Sequence, residues 1–339
     1  MDKILVTGGL GFIGSHTVVE LQHEGYEVVI IDDLSNSSIN VLDGITNITG
    51  KTPIFEKLDL KEKNGVEAFF TKHNDIKGVI HFAASKAVGE SVKEPLQYYE
   101  NNINTLVYIL KELKKLPKTS FIFSSSCTVY GQADELPITE NAPVKQAESP
   151  YGNTKQIGEE IIRDTCKVIP NITAIALRYF NPIGAHESVN IGELPIGVPQ
   201  NLVPFITQTA IGLREQLSVF GSDYPTSDGT CVRDYIHVVD LAKAHVMALH
   251  RLLKNKNKEN YETFNLGTGK GSTVLEVIKS FEKVSGKSLN YNIVDRREGD
   301  VISAYADTNK AYSELGWKTQ LTLDDAMHSA WKWEQKVRS

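Results

Sequence analysis

Thr7-Gly8-Gly9-Leu10-Gly11-Phe12-Ile13-Gly14 is the stretch that decides the fold. It follows a short β-branched run, Ile4 to Val6, and leads into helical spacing over Ile13 to Glu24. Glycines at 8, 11 and 14, with a G-x-G-x-x-G register at 9, 11 and 14, let the backbone turn sharply. Such a turn brings exposed N–H groups at a helix start up to a pyrophosphate, and the last glycine lets helix and strand pack closely. Asp32, about 20 residues further on, sits where a carboxylate accepts hydrogen bonds from an adenosine ribose. No Lys or Arg falls between His23 and Lys51 to hold a 2′-phosphate, which favours NAD over NADP.

Outward from this turn, short apolar runs recur at Val28 to Ile31, Val79 to Phe82, Phe121 to Phe123 and Ile175 to Leu177, with helical spacing between them, as in Thr105 to Leu116. Runs this short suit parallel strands buried on both faces. The expected fold is α/β: a doubly wound parallel, Rossmann-type sheet with a smaller mixed α/β substrate-binding lobe. The boundary is expected near residue 180, giving a dinucleotide-binding domain over 1–180. The remainder, 181–339, is expected to be mainly the substrate lobe, with some segments returning to the first domain. Asn181-Pro182-Ile183-Gly184 opens a Gly- and Pro-rich segment, expected to be mostly loop, that runs to about Pro204. Phe264 to Gly267 looks like another strand end, and helical patterns resume at Val274 to Val284 and Asp324 to Trp333.

Composition narrows the function. A net charge of -6 over 339 residues leaves no excess of Lys or Arg for a nucleic-acid backbone. No stretch approaches the roughly 20 apolar residues of a membrane span, and the N-terminus lacks a basic flank, so a cytoplasmic protein is expected. Cys127, Cys166 and Cys231 lie far apart without C-x-x-C spacing, which points to a reducing compartment and no zinc site. His81 and His237 each sit alone in an apolar run and read as core histidines rather than metal ligands.

Ser149-Pro150-Tyr151-Gly152-Asn153-Thr154-Lys155 begins an apparent helix, with Pro150 at a starting position and Tyr151 and Lys155 one turn apart on one face. With 13 Tyr in the chain, roughly one Tyr-x-x-x-Lys is expected by chance, so the spacing alone is weak. Its place after the serine-rich strand end Ser124-Ser125-Ser126 raises it. A phenol titrates near 10; a tyrosinate at neutral pH needs roughly 3 units of depression, about 4 kcal/mol. A neighbouring ammonium and a cationic nicotinamide ring would supply it.

Together Gly8, Gly11, Gly14, Asp32, Ser126, Tyr151 and Lys155 resemble the extended short-chain dehydrogenase/reductase family. More narrowly, the chain resembles its members that invert C4 of UDP-hexoses. That likeness is carried by His81-Phe82-Ala83-Ala84, Lys86 to Ser91, Ser124 to Gly131, Arg178-Tyr179-Phe180-Asn181-Pro182, Asp228 to His237 and Arg296 to Asp300, and spans nearly the whole chain.

The resemblance implies a UDP-sugar substrate, bound NAD and a homodimer. It implies NAD contacts at Gly8, Gly11, Phe12, Ile13, Gly14, Asp32, Asp33, Asp59, Leu60, Phe82, Ala83, Lys86, Asn101 and Phe180, together with Ser126, Tyr151 and Lys155. It implies substrate contacts at Ser126, Tyr151, Asn181, Asn201, Leu202, Phe220, Arg233, Arg297, Asp300 and Ala304, with the two arginines as charge-assisted forks on the diphosphate. It makes Tyr151, Lys155 and Ser126 catalytic. The implied reaction passes through a 4-keto sugar that turns over before hydride returns, and the implied role is in galactose metabolism and sugar-nucleotide supply. Ala304 stands where relatives restricted to plain hexoses carry a Tyr, so the UDP-N-acetylhexosamine pair is expected to be accepted too.

Three rival readings follow from the same fold. A 4,6-dehydratase would need an extra acid and base after the serine strand, where this chain has Ser126-Cys127-Thr128. A sugar-acid decarboxylase would need a Glu beside the serine. A non-catalytic NAD-sensing regulator would have no use for Ser126, Tyr151 and Lys155 together.

Overall fold

The computed structural model describes residues 1–297 and 300–339. The first elements are β1 (Lys3–Thr7), α1 (Phe12–His23), β2 (Glu27–Asp32), α2 (Val41–Thr49), β3 (Ile54–Lys57), α3 (Lys63–Lys72) and β4 (Ile76–His81). They continue through α4 (Val88–Lys93), α5 (Pro95–Leu113), β5 (Thr119–Ser124), a 3-10 turn over Cys127–Tyr130, α6 (Pro150–Val168) and β6 (Ile172–Tyr179). Next come β7 (Asn181–Ile183), α7 (Leu202–Ala210), β8 (Leu217–Phe220), β9 (Val232–Arg233), β10 (Tyr235–His237), α8 (Val238–Leu253) and β11 (Tyr261–Leu266). The chain closes with β12 (Ser272–Thr273), α9 (Val274–Ser285), β13 (Tyr291–Val294), β14 (Ser303–Ala304) and α10 (Leu323–Arg338).

The chain divides into two compact units, one of 1–131, 143–178 and 242–265, the other of 132–142, 179–241 and 266–339. The first holds a seven-stranded sheet ordered β11-β6-β5-β4-β1-β2-β3, in which neighbours from β3 to β6 pair in parallel. That is the doubly wound order, with its reversal between β1 and β4. The strands form here because their residues are apolar on both faces: Ile4, Leu5 and Val6 are fully buried, as are all six residues of β5. Leu106, Ile109, Leu110 and Leu113 of α5 pack with Phe121 and Phe123 in one core cluster.

The edge strand β3 has no counterpart among the apolar runs of the sequence. Its residues Ile-Phe-Glu-Lys are exposed or half-buried, as an edge strand protected by charge should be. The second unit has small sheets, β10-β7, β12-β9-β14 and β13-β8, over a core that includes Val277, Phe281, Met327 and Trp331. The segment expected as loop from Asn181 begins instead with β7, which pairs in parallel with β10 in spite of Pro182. Proline is tolerated because a two-stranded sheet is all edge.

Candidate active site

The glycine turn joins β1 to α1. Gly8 has φ +67°, and a Cβ there would lie 2.9 Å from the Ala83 nitrogen. A Cβ on Gly14 would lie 2.2 Å from the Gly8 carbonyl oxygen, so only glycine lets α1 lie against the turn. Gly11 precedes the first helical residues, Phe12 and Ile13, and offers them no side-chain cap, leaving first-turn N–H groups for an anion. Phe82 and Ala83 close the other side: the Phe82 N–H donates to the Thr7 carbonyl at 3.1 Å and the Ala83 N–H to the Thr7 hydroxyl at 3.3 Å.

Asp32 ends β2 and is buried. Its carboxylate accepts from the Leu10 N–H at 3.1 Å, the Leu34 N–H at 3.0 Å and the Ser37 hydroxyl at 2.7 Å, tying the glycine turn to the strand end. Asp33 and Asp59 line a cavity of about 350 Å³ with Lys57, Leu58 and Glu62. Leu60 directs its side chain into the core, whereas Leu58, two residues earlier, reaches the cavity. Lys57 is a cation that lies beyond the stretch from His23 to Lys51, and strand pairing sets it beside Asp32. Lys86 is exposed, and the Asn101 amide donates to the Ser85 hydroxyl at 3.0 Å.

The reactive pair sits on α6. Ser149 caps the helix by accepting from the Gly152 N–H at 3.1 Å, and Pro150 supplies a preset first φ. Tyr151 is half-buried, and Lys155 is 4% exposed with its Nζ 5.7 Å from the centre of the Tyr151 ring. The ammonium donates to the Ser124 carbonyl at 2.7 Å, and burial pushes its pKa down to about 8. Ser126 caps the 3-10 turn, accepting from the Thr128 N–H at 3.2 Å, which leaves its own O–H to donate. His81 lies nearby on β4, sharing a hydrogen bond of 2.8 Å with the Thr7 hydroxyl; burial, then the Lys155 charge, lower its pKa to about 3 and keep it neutral. His237 accepts from the Val239 N–H at 3.1 Å and meets the Ser329 hydroxyl at 3.2 Å.

The second unit gathers most of the remaining residues. Arg233 donates to Asp300 at 3.3 Å, Arg297 donates to the same carboxylate at 2.9 and 3.2 Å, and the Arg297 guanidinium lies 4.9 Å over the Phe220 ring. Ala304 stands in register with Arg233 across β9 and β14. The Asn181 N–H donates to the Asp234 carbonyl at 2.9 Å, one residue from Arg233. Asn201 precedes α7 and donates to Glu193 at 2.6 Å, while Leu202 opens that helix. Phe180 is buried, with its N–H directed at the Leu266 carbonyl.

Two supporting residues escaped the sequence reading. Asn102 binds the Ser85 backbone through both its amide groups and donates to Thr154 of α6 at 2.9 Å. Asp234 is fully buried and accepts from Thr268, Gly269 and Ala306, fixing β9 and β14 at once. Its place beside Arg233 was a signal, but its partners lie more than 30 residues away.

Residues 5–330 match the model of a family described as GDP-mannose 4,6 dehydratase. The chain is 50% identical over 331 residues to the UDP-glucose 4-epimerase of Bacillus subtilis, covering 98% of this chain and 96% of that one. The chain belongs to the UDP-glucose 4-epimerase family. Among solved structures, the family member from Stenotrophomonas maltophila, with bound NAD and formylated UDP-arabinopyranose, is 46% identical with a TM-score of 0.95, covering 100% of this chain and 99% of that chain. The Bifidobacterium longum epimerase in complex with NAD+ and UDP is 47% identical with a TM-score of 0.94, covering 99% of each chain. The dehydratase family model spans the wider group, and the epimerase relatives locate the branch.

Proposed function

We propose that the protein is an NAD-dependent isomerase that inverts C4 of UDP-hexoses, interconverting UDP-galactose and UDP-glucose. The observation that carries the chemistry is the buried Lys155 ammonium, bonded to the Ser124 carbonyl and 5.7 Å from the centre of the Tyr151 ring. The cradle left by Gly8 and Gly14, with Asp32 and the cavity of Asp33 and Asp59, fits a dinucleotide. Phe12, Ile13, Phe82, Ala83, Lys86, Asn101 and Phe180 are proposed to complete its surroundings, with Leu60 taking part only through its backbone. NAD supplies the hydride acceptor and donor when bound.

The chain's own residues supply the rest. Tyr151 takes the 4-hydroxyl proton, and the Lys155 ammonium stabilises the phenolate by opposite charge. Ser126 donates a hydrogen bond to the 4-oxygen as it becomes a carbonyl. Arg233 and Arg297 hold the diphosphate, kept side by side by the Asp300 carboxylate between them, while Asn181, Asn201, Leu202 and Phe220 fix the nucleotide and sugar. With the diphosphate held, the 4-keto sugar is free to turn, and Tyr151 returns the proton. Ala304 leaves room beside the sugar 2-position, so the UDP-N-acetylhexosamine pair is proposed as a second substrate pair.

A cytoplasmic homodimer serving galactose metabolism and sugar-nucleotide supply completes the proposal. No described helix is long and apolar enough to cross a membrane. Val88, Val92 and Leu96 are exposed over α4 and the start of α5, an apolar strip that a second copy would cover, and sedimentation velocity reads the mass directly. The central test supplies UDP-galactose to the purified protein without added cofactor. UDP-glucose is expected to form, and denaturation is expected to release nicotinamide dinucleotide. A strict need for added cofactor, or full activity restored equally by catalytic NADPH, contradicts tight NAD binding or the role of Asp32.

A further inference from the structure

Glu159 lies one turn beyond Lys155 on α6, in line with Tyr151 at i, i+4 and i+8. It is 5% exposed, and its carboxylate is filled by donors. One oxygen accepts from the Ser125 hydroxyl at 2.5 Å and from Arg178 Nε at 2.8 Å. The other accepts from Arg178 Nη2 at 2.5 Å and from the Tyr261 hydroxyl at 3.2 Å. Arg178 of β6 continues to the Tyr130 hydroxyl at 3.0 Å, which donates to Asn265 at 2.6 Å. Ser125 adjoins both Ser124, whose carbonyl binds Lys155, and Ser126.

A buried ion pair is a weak source of stability, since well-packed apolar residues of similar size often do as well. Here the pair holds the hydroxyl of Ser125, the residue between Ser124, whose carbonyl binds Lys155, and Ser126. We propose that Glu159, held by Arg178, is a positioning residue for Ser126, Tyr151 and Lys155: it pins the strand end through Ser125 and faces the Lys155 ammonium with the opposite charge. The inference rests on the catalytic reading of Tyr151 and Lys155.

The groups facing Lys155 are Tyr151 and Glu159 on α6, neutral His81 on β4, and the Phe123 ring and Ser124 carbonyl on β5, with Arg178 on β6 behind Glu159. Burial lowers the Lys155 pKa and the Glu159 charge raises it. Removing that charge therefore has one sign: Lys155 loses its proton at lower pH, further so with Arg178 left unpaired.

The test labels lysine side chains with carbon-13 in the NAD-loaded protein, assigns Lys155 by the Lys155→Met variant, and titrates it by NMR. In Glu159→Gln the Lys155 pKa is expected to fall by about 1 unit or more. The kcat should fall about tenfold, with KM little changed. Glu159→Gln/Arg178→Met, which leaves no unpaired guanidinium behind, is expected between that variant and wild type, and carries the test if the single variant does not fold. Ser125→Ala should keep the Lys155 pKa and lose kcat about threefold or more. An unmoved Lys155 pKa in the folded Glu159 variants, or an unchanged kcat in Ser125→Ala, overturns the inference. Full turnover in Lys155→Met instead overturns the catalytic reading beneath it.

Discussion

Lys155 costs the fold something in its present place. Its folded pKa, lowered to about 8, lies below the ordinary value of 10.5, so between those pH values the unfolded chain binds more protons than the folded one. Stability should therefore rise with pH across that window, and the penalty is fully present below it. Lys155→Met is expected to lose most turnover while gaining stability near pH 7, on the order of 1–3 kcal/mol after the lost hydrogen bond to Ser124, read by denaturant unfolding of the NAD-free protein. Tyr151→Phe should keep the fold and UDP binding and lose most turnover; near-normal activity would place the base elsewhere. At Ala304 the expected result is a switch. Ala304→Tyr should abolish conversion of the N-acetyl pair, through a clash worth about 1–3 kcal/mol or more, and spare the plain hexoses. Wild type that never converts the N-acetyl pair sinks the idea. Tyr151 and Lys155 were legible because they stand only four positions apart in the chain. Asn102 and Asp234 were not, because their meaning comes from partners on other elements, Thr154 and Ala306.

At the scale of elements, the glycine turn makes the sharpest prediction. A methyl at residue 14 meets backbone, the Gly8 carbonyl oxygen at 2.2 Å and the Gly9 Cα at 2.9 Å, and backbone cannot step aside as a side chain can. Gly14→Ala should lower stability by about 1–3 kcal/mol and strip bound dinucleotide, read by unfolding midpoint and cofactor content. The turn was readable because glycine spacing reports backbone geometry directly. The central strands were readable too, since burial on both faces demands apolar runs. The edge strand β3 was not, because charge is what an edge needs, nor was β7, whose pairing with β10 depends on residues more than 50 positions away. The helix expected from Thr105 begins at Pro95, its first half hidden by polar residues such as Asn101 and Asn102 that serve the loop beside it.

For the whole molecule, the sequence reading gave one boundary near residue 180 with later segments returning. The chain clusters as three segments in each unit, including an excursion at 132–142. A texture change along the chain shows where one pattern stops, but only spatial pairing shows which sheet a later strand rejoins. That pairing has a consequence for the protein's birth. β6 leaves the ribosome long before its outer neighbour β11 exists, and at about 5–20 residues per second the interval amounts to several seconds. Throughout it, an eight-residue strand destined for complete burial stands as a sticky border on a nascent sheet. A fragment of residues 1–180, although it holds every proposed dinucleotide contact, should therefore aggregate or bind hydrophobic dyes instead of NAD. A monodisperse, NAD-binding fragment would show that β6 tolerates the wait; otherwise, the cell that makes this protein must shelter a half-finished sheet until its last strand arrives.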